Sequence, residues 1–445
     1  MGIKTVAIAT LGCKVNQYDS ATIAGMFYRR GYQIVDFSQP ADVYVINTCT
    51  VTQTGDRKSR QLIRRAIKNN PVAFIVVTGC YAQVFPGEVM AIPGVDLVIG
   101  TQERGQIIDL IETAARQNGP LNIVQNVFQA KEFEELSSAP ILSGRVRAFL
   151  KIQEGCSNYC SYCIVPYARG ALKSRRPENI LAEARRLIEE GFKEIVVTGI
   201  HVGAYGCDRQ GNINLARLLT FLVELPGLVR LRLSSVEPLD VTSELIAVVA
   251  THEKICLHFH IPLQSGDDVV LKRMNRHYTV KYFRKLIQEI RRNIPEVAVT
   301  TDVMVGFPGE TNEQFTNTFH FVEEMAFSRL HVFKYSSRQG TPAAKMPDQV
   351  PAAVKEERSK QMISLGNKLA RSFALNFLDR QVEVLVEESL REFPGLCEGL
   401  TSNYLRVIFP ASGELRTKLV KVNTSEIVGT ALKGSLAEKN RIIKF

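Results

Sequence analysis

The sequence predicts an α/β protein in three parts: a parallel α/β N-terminal domain, a TIM-like barrel of repeated βα units and a small all-β barrel. Strand-like runs alternate with helix-like stretches up to about residue 375, and short β-like runs with polar turns follow. A chain of 445 residues has room for about three domains. We place them at residues 1–118, 145–375 and 376–445, with a linker at 119–144.

Three cysteines in the first third each follow a strand-like run. The runs TVAIATLGC, VYVINTC and AFIVVTGC end at Cys13, Cys49 and Cys80, with helix-like stretches at 20–30 and 57–68 between them and a further strand at 96–100. Because parallel strands end at one edge of a sheet, we expect these cysteines to meet at one site. The alternative interpretation is that they are small hydrophobic core residues.

A second group of cysteines lies in residues 151–170, KIQEGCSNYCSYCIVPYARG. Cys156, Cys160 and Cys163 are four and three positions apart, so their thiols must face one shared centre or stay unpaired. A closed zinc site needs four protein ligands, and no histidine is near in sequence. Three thiolates leave a position open, as on a cubane [4Fe–4S] iron that binds an outside ligand. A zinc loop with a distant fourth ligand or a chance group of thiols is the alternative.

Six strand-like runs in the middle of the chain, each followed by a helical stretch, predict the TIM-like barrel: VRAFLKIQEG, EIVVTGI, VRLRLSSVEP, LHFHIPLQSG, VAVTTDVMVGFPG and SRLHVFKYSS. Active residues of such barrels lie at the carboxyl ends of the strands. The candidates are Gly199, His201, Ser235, Glu237, Gln264, Ser265, Asp302 and Gly306. Alternating His258 and His260 are barrel-lining bases or ordinary core histidines.

Charge and cysteine usage indicate the class of partner and the compartment. The net charge of +10 suggests a polyanionic partner, and Arg57, Arg60, Arg64 and Lys68 form one helix face that contacts phosphates or is simply solvated. No signal peptide and no run of eighteen apolar residues is evident, so we expect a soluble, cytoplasmic chain without a membrane partner. Nine cysteines in such a chain favour metal or redox use over disulfides.

These motifs resemble those of known families. The loop Cys-x3-Cys-x2-Cys with Pro166 and Arg169-Gly170 resembles the cluster loop of radical S-adenosylmethionine (SAM) enzymes, whose barrels are partial (βα)6 barrels. The sequence segments TLGCKVNQYDS, INTCTVT and VTGCYAQ resemble the N-terminal domain of methylthiotransferases within that superfamily. GLTSNYLRVIFP and GTALKGSL resemble the TRAM module, an RNA-binding β-barrel in which Tyr404 either stacks on a base or packs at the rim.

The resemblance implies two [4Fe–4S] clusters. Cys156, Cys160 and Cys163 would hold the cluster whose open iron binds SAM, from which one electron releases a 5′-deoxyadenosyl radical, and Cys13, Cys49 and Cys80 would hold an auxiliary cluster. Tyr162 would pack near the SAM adenine, and Arg175, whose guanidinium suits a carboxylate, would meet the SAM carboxylate or lie on the surface. The remaining SAM-surrounding candidates are Gly199, Ser235, Glu237, Gln264 and Asp302.

Within the family, LGCKVNQYDS, VINTCTVTQTG, IQEGC and HVFKYSSRQGTPA are most similar to enzymes that act on N6-threonylcarbamoyladenosine in tRNA. Lys334 in place of a usual proline and Asp267 in place of a common serine depart from the pattern. The implied reaction replaces the C2 hydrogen of the adenine by a methylthio group and consumes two SAM molecules. The implied partners are a tRNA anticodon stem-loop and an electron donor such as a flavodoxin or ferredoxin.

Other functions stay open at this stage. Within the family, the substrate could instead be isopentenyladenosine in tRNA or an aspartate of a ribosomal protein. From another class, the chain could be a zinc-holding RNA-binding module without radical chemistry.

Overall fold

A computed structural model of the chain describes residues 4–114, 119–136, 146–390 and 392–437. Its N-terminal part is a six-stranded, all-parallel sheet in the order β2-β1-β3-β4-β5-β6. All six residues of β3 are buried, as expected for a parallel sheet with helices on both faces. The strands are β1 (Thr5–Thr10), β2 (Gln33–Val35), β3 (Val43–Thr48), β4 (Phe74–Gly79), β5 (Leu97–Val98) and β6 (Leu121–Asn122). The helices are α1 (Lys14–Arg29), α2 (Gln53–Asn69), α3 (Cys80–Val84), α4 (Pro86–Met90) and α5 (Ile107–Ala114).

Two local predictions need correction. The first helix was predicted to span 20–30, but it begins at Lys14, with Cys13 as its N-cap. Its first turns bury the polar residues Asn16 and Asp19, so the sequence shows no apolar stripe there. The segment predicted as a linker, 119–144, starts with β6, which pairs with β5 and completes the sheet. Residues 137–144 of that segment lie outside the described residues.

The middle of the chain is a partial barrel of six parallel strands in sequence order. Two three-stranded sheets, β7-β10-β11 and β12-β13-β14, are joined by parallel bridges between Leu231 and Ile255 and between Ser235 and His260. The barrel strands are β7 (Arg147–Lys151), β10 (Glu194–Thr198), β11 (Arg230–Leu233), β12 (His258–His260), β13 (Ala298–Val305) and β14 (Arg329–Lys334). Between β7 and β10, β8 (Gln153–Glu154) and β9 (Lys173–Ser174) form an antiparallel pair. The helices are α6 (Val165–Arg169), α7 (Pro177–Glu189), α8 (Leu215–Val223), α9 (Ser243–Thr251), α10 (Asp268–Arg273), α11 (Val280–Asn293) and α12 (Asn312–Met325).

A long helix, α13 (Ala352–Leu375), leads into a closed five-stranded barrel of order β15-β16-β17-β19-β18. Its strands are β15 (Gln381–Ser389), β16 (Leu396–Thr401), β17 (Arg406–Pro410), β18 (Leu419–Val428) and β19 (Ala431–Leu436). The α/β, (βα)6 and all-β parts predicted from the sequence are therefore confirmed. None of the described helices is long and apolar enough to cross a bilayer.

The C-terminal barrel is joined to the partial barrel through the turn between β16 and β17. The buried Arg232 of β11 donates hydrogen bonds to the carbonyls of Thr401 (3.1 Å) and Ser402 (2.9 Å). Two residues further along that turn, Tyr404 has φ +70° and stacks on His258 of β12 with ring centroids 4.7 Å apart. The turn thus places an aromatic ring of the third part against the strands of the second.

Candidate active site

The first cysteine triad lies where the topology predicts it. Cys49 and Cys80 directly follow β3 and β4, and Cys13 lies three residues after the end of β1; these strands are neighbours in the parallel sheet. Burial and then the nearby Cys80 thiol raise the pKa of Cys49 to about 12, and Cys13 adds to the effect. Thiols that are close enough to shift one another's pKa share one site. A metal bound there would convert thiols of raised pKa into thiolate ligands.

The backbone before this triad requires glycine. Gly79 has φ +94°, and a Cβ there would lie 2.4 Å from the Asn47 side-chain oxygen. Only glycine therefore lets β4 turn directly into α3 at Cys80. Cys13 in turn is the N-cap residue of α1.

The second triad occupies the loop between β8 and α6. The backbone N–H of Cys163 donates to the Cys160 carbonyl at 2.9 Å, and that of Asn158 donates to the Cys156 sulfur at 3.5 Å. Burial and then the Cys160 thiol raise the pKa of Cys163 to about 12. Gly155, with φ +75°, precedes the loop, and a Cβ there would clash with the Ala171 carbonyl. The loop is thus folded so that its three thiols lie near one another.

Two arginines donate hydrogen bonds to cysteine sulfurs. The Arg276 Nη1 lies 3.2 Å from the Cys160 sulfur, and the Arg169 Nε lies 3.4 Å from the Cys80 sulfur. N–H donors to sulfur set the stability and potential of iron–sulfur centres. The arginines give each triad such a donor. Arg169 has a further role, because it lies at the end of the second cysteine loop and reaches the first triad.

A third group of potential ligands is gathered more tightly than either cysteine triad. Among the described residues, the group whose potential ligand atoms all lie within 4.8 Å of one another is His260, Asp302 and His331. A single zinc, with Zn–S distances of about 2.3 Å, would need its thiolates roughly 3.8 Å apart. Neither triad is arranged that closely around one point.

A small cavity of about 90 Å³ adjoins the second triad and is lined by Cys160, His201, Glu237, Asp240 and Arg276, among others. The His201 Nδ1 lies 3.8 Å from the Cys156 sulfur, and its Nε2 lies 2.6 Å from an Asp240 oxygen. Although burial lowers the pKa of His201, Asp240 and the cysteine raise it to about 10. The predicted residue Glu237 is here, ion-paired with Arg276.

A larger cavity of about 330 Å³ lies inside the barrel. Four barrel strands, β10, β12, β13 and β14, and the segment directly after β11 contribute residues to its lining, and the N-terminal part contributes Cys13 and Lys14. The predicted residues Gly199, Ser235 and Asp302 are brought together in this lining. A cysteine of the first triad thus faces a common space with residues at the carboxyl ends of β10 and β11 and with residues at the starts of β12 and β14.

Polar side chains of the cavity wall hold one another in place through hydrogen bonds. One Asp302 oxygen lies 3.2 Å from the His260 Nε2 and 3.2 Å from the His331 Nδ1. The Thr300 hydroxyl contacts both His258 (3.0 Å) and His260 (2.9 Å). Burial lowers the pKa of His258 well below its usual value. The two strand histidines are therefore barrel-lining groups held in a hydrogen-bonded set.

Tyr404 also lines the cavity, packed between its neighbours. Besides the stacking on His258, the Arg232 guanidinium lies 4.5 Å from the centre of its ring. This packing makes Tyr404 part of the cavity wall. The sequence allowed two roles for Tyr404, stacking on an RNA base or packing at the rim of the small barrel.

Three predicted residues do not line either cavity. The Arg175 guanidinium is occupied by ion pairs to Glu135 and Glu183. Tyr162, which lies between Cys160 and Cys163 in the second cysteine loop, packs against a hydrophobic cluster that includes Phe307 and Tyr335, and its position near the SAM adenine stays a prediction. Gln264 has φ +65° and joins β13 through its backbone, donating to the Asp302 carbonyl at 2.8 Å. The expectation that Arg175 meets the SAM carboxylate is not supported, because its charge is already neutralised within the fold.

Sequence reasoning did not assign Arg276 or the pairing of His201 with Asp240. Arg276 is 116 residues from Cys160 along the chain and follows a short helix, so no local pattern marks it. Arg169 carries a signal, since it closes the cysteine loop as PYARG, but its contact with the other triad depends on tertiary packing.

Known proteins were compared with the chain. Residues 5–100 match the family described as "Uncharacterized protein family UPF0004", and residues 150–322 match the Radical SAM superfamily. Threonylcarbamoyladenosine tRNA methylthiotransferase MtaB of Bacillus subtilis is 49% identical over 94% of this chain and 93% of its own length. The protein of the same name from Aquifex aeolicus is 39% identical, over 90% and 96%. The tRNA-2-methylthio-N(6)-dimethylallyladenosine synthase of Moorella thermoacetica is 36% identical, over 98% and 99%.

Solved structures show the same fold at low identity. The radical SAM methyltransferase TsrM of Kitasatospora setae matches with TM-score 0.58 and 13% identity over 77% of this chain and 74% of its own. The cobalamin-dependent SAM radical enzyme OxsB matches with TM-score 0.53 and 13% identity over 84% and 56%. Fold, cysteine motifs and near full-length identity agree, and the radical SAM architecture brings SAM and a [4Fe–4S] cluster as cofactors. The chain belongs to the radical SAM tRNA methylthiotransferase family.

Proposed function

We propose that this chain inserts a methylthio group at C2 of N6-threonylcarbamoyladenosine at position 37 of tRNA, giving 2-methylthio-N6-threonylcarbamoyladenosine. The observation that carries the proposal is the 49% identity, over 94% of the chain, to a relative named for that substrate. Relatives named for dimethylallyladenosine are 36–37% identical and supply the second candidate substrate, isopentenyladenosine.

Each triad has a place in this proposal. Cys156, Cys160 and Cys163 would hold the cluster that binds SAM, and Cys13, Cys49 and Cys80 would hold an auxiliary [4Fe–4S] cluster. When bound, these groups supply a 5′-deoxyadenosyl radical able to remove the non-acidic C2 hydrogen, and iron at which sulfur is bound. The three thiols and the arginine N–H donor at each site support this assignment.

The chain's own residues would position the base and shield it from water. Glu237 and His201 border the second triad, while Gly199, Ser235 and Asp302 line the larger cavity. Asp302, held between His260 and His331, offers a fixed acceptor for the base or its substituent. Such preorganised groups hold a reactant in its productive geometry, which is the main contribution a protein makes to cofactor chemistry.

The two triads would be held at a fixed separation by buried ion pairs. Arg169 pairs with Asp19 of α1 (2.9 Å) and with Glu154 before the second triad (3.0 Å). Lys151 of β7 also pairs with Asp19, at 2.8 Å. These side chains are at most 3% exposed, so the contacts between the first two parts are dry and geometrically specific.

The RNA partner would be the anticodon stem-loop of tRNA, with its loop bases unstacked so that adenosine 37 reaches the cavity. Exposed basic residues of α2, Arg57, Arg64 and Lys68, would contact its phosphates. The C-terminal barrel would act as a TRAM module, and a flavodoxin or ferredoxin would supply electrons.

A nucleoside assay tests the proposed substrate. The reconstituted enzyme is incubated with SAM, a reductant and tRNA that carries either threonylcarbamoyladenosine or isopentenyladenosine. The tRNA is then digested, and its nucleosides are identified by mass spectrometry. We expect the methylthio product from the first tRNA. Cys13→Ala should abolish that product while SAM cleavage continues, because the residue belongs to the first triad. Product from isopentenyladenosine alone would establish the second candidate in place of the first.

A further inference from the structure

Two cationic side chains line the larger cavity without an anionic partner. Lys14 is the first residue of α1, next to Cys13, and Arg329 is the first residue of β14. Within the described part of the chain, neither makes a hydrogen bond or an ion pair. Lys14 is half-buried, so its ammonium has lost part of its water, and the nearby Glu194 carboxylate is already paired with Arg232.

Neighbouring cations are all compensated. Arg147 pairs with Glu387 and the buried Arg232 pairs with Glu194. Asp302, the one carboxylate among the described residues of the cavity wall, already contacts two histidines. The cavity therefore presents two positive charges that make no ion pair, one half-buried on Lys14 and one exposed on Arg329, to which an anionic ligand could bind.

We propose that Lys14 and Arg329 bind the carboxylate of the N6-threonylcarbamoyl group and thereby select an anionic N6 substituent over a hydrocarbon one. The inference rests on the proposed function and names the residues that would set its substrate class. A threonylcarbamoyl group ends in a carboxylate and a hydroxyl, whereas an isopentenyl group has no polar atom. A guanidinium binds a carboxylate through two parallel hydrogen bonds, and an ammonium attracts it as a point charge.

The strand that carries Arg329 also offers a surface for the base. Arg329, His331 and Phe333 alternate along β14 and all line the cavity, because successive residues of a strand point to opposite faces. Phe333 is 46% exposed, so its ring is open to stacking against a purine. The substituent and the base would thus contact the same strand.

A backbone phosphate of the RNA is the other source of an anion. Lys14, however, follows Cys13 directly and shares the cavity with Gly199 and Ser235, at the carboxyl ends of β10 and β11, where the proposed reaction places the base. A carboxylate attached to N6 of that base is closer to such a position than a phosphate. The experiment below separates the two sources.

The test measures binding of anticodon stem-loops that carry adenosine, threonylcarbamoyladenosine or its carboxamide at position 37. We expect the wild type to prefer the carboxylate form over both others, and Lys14→Met and Arg329→Gln each to reduce that preference roughly tenfold. Lys334→Gln is the matched control, since that residue lies on the same strand, pairs with Glu356 and is absent from the cavity wall. The control should keep the wild-type preference.

Several outcomes would overturn the inference. If both variants weaken the three RNAs equally, the side chains bind phosphate. If the preference for the carboxylate survives in both variants, other residues provide it. Iron content and thermal unfolding of each variant are measured alongside, so that a lost preference is attributed to the side chain only in a folded, loaded protein. Failure of the proposed function has a different signature, because the wild type itself would then show no preference for the carboxylate form, and the nucleoside assay would give product from isopentenyladenosine alone.

Discussion

Single buried residues connect the two cysteine triads. Arg169 is fully buried, and its guanidinium contacts the Cys80 sulfur, Asp19 and Glu154. Although burial raises the pKa of Glu154, Arg169 and Lys151 bring it down to about 2, which keeps the carboxylate ionised. Each charge in this group depends on the others, because an unpaired charge in a dry interior is costly.

Replacing Arg169 should therefore destabilise the protein strongly. We expect Arg169→Met to lower the free energy of unfolding by about 3–5 kcal/mol, since Asp19 and Glu154 would lose a buried partner. Arg284→Met, which removes a partly exposed pair with Glu324, should cost at most about 1 kcal/mol. Denaturant unfolding of the reduced, metal-free proteins measures both, and equal losses would show that the buried group contributes no more than a surface pair.

Predictability from sequence differs between residues. The grouping of cysteines into two triads follows from their spacing and from the strand ends, because chain geometry limits where neighbouring thiols point. Arg276 cannot be found in this way, since its contact with Cys160 forms only when the loop after α10 folds back on the cysteine loop. Arg175 looked available in the sequence but is occupied by Glu135 and Glu183, which tertiary packing supplies.

At the scale of elements, strands were easier to predict than the polar helix α1. Buried parallel strands are continuous apolar runs, and those of β1, β3 and β4 stand out in the sequence. The helix α1 begins with KVNQYDS, which carries no apolar stripe because Asn16 and Asp19 are buried against polar groups of the barrel. Its true start is set by Cys13 as the N-cap.

The helix α2 has an exposed basic face that should bind RNA. Replacing Arg57, Arg64 and Lys68 together by glutamine should weaken binding of every stem-loop alike, because phosphates carry no sequence information. The slope of log affinity against log salt should also become shallower by about 2, or roughly 0.7–0.9 per lost contact. Titrations at several salt concentrations measure this slope, and an unchanged slope would mean that α2 is only a solvated surface.

At the scale of the whole molecule, the three parts form one cavity. The N-terminal part contributes Cys13 and Lys14, the partial barrel contributes its inward-facing strand residues, and the C-terminal barrel contributes Tyr404. The order of the parts was predictable from changes in periodicity along the chain. The contribution of Tyr404 was not, because it depends on how the turn after β16 docks against Arg232 and His258.

We propose that this molecule carries two separate iron–sulfur sites, one at each triad. The most direct measurement is iron and sulfide per chain in protein reconstituted without oxygen. The wild type is compared with two triple variants, one with Cys13, Cys49 and Cys80 changed to alanine and one with Cys156, Cys160 and Cys163 changed. We expect about eight irons in the wild type and about four in each variant, as three-thiolate ligation of two cubanes requires. Zinc in place of iron in the wild type, or the loss of all iron when only one triad is changed, would contradict the presence of two independent clusters.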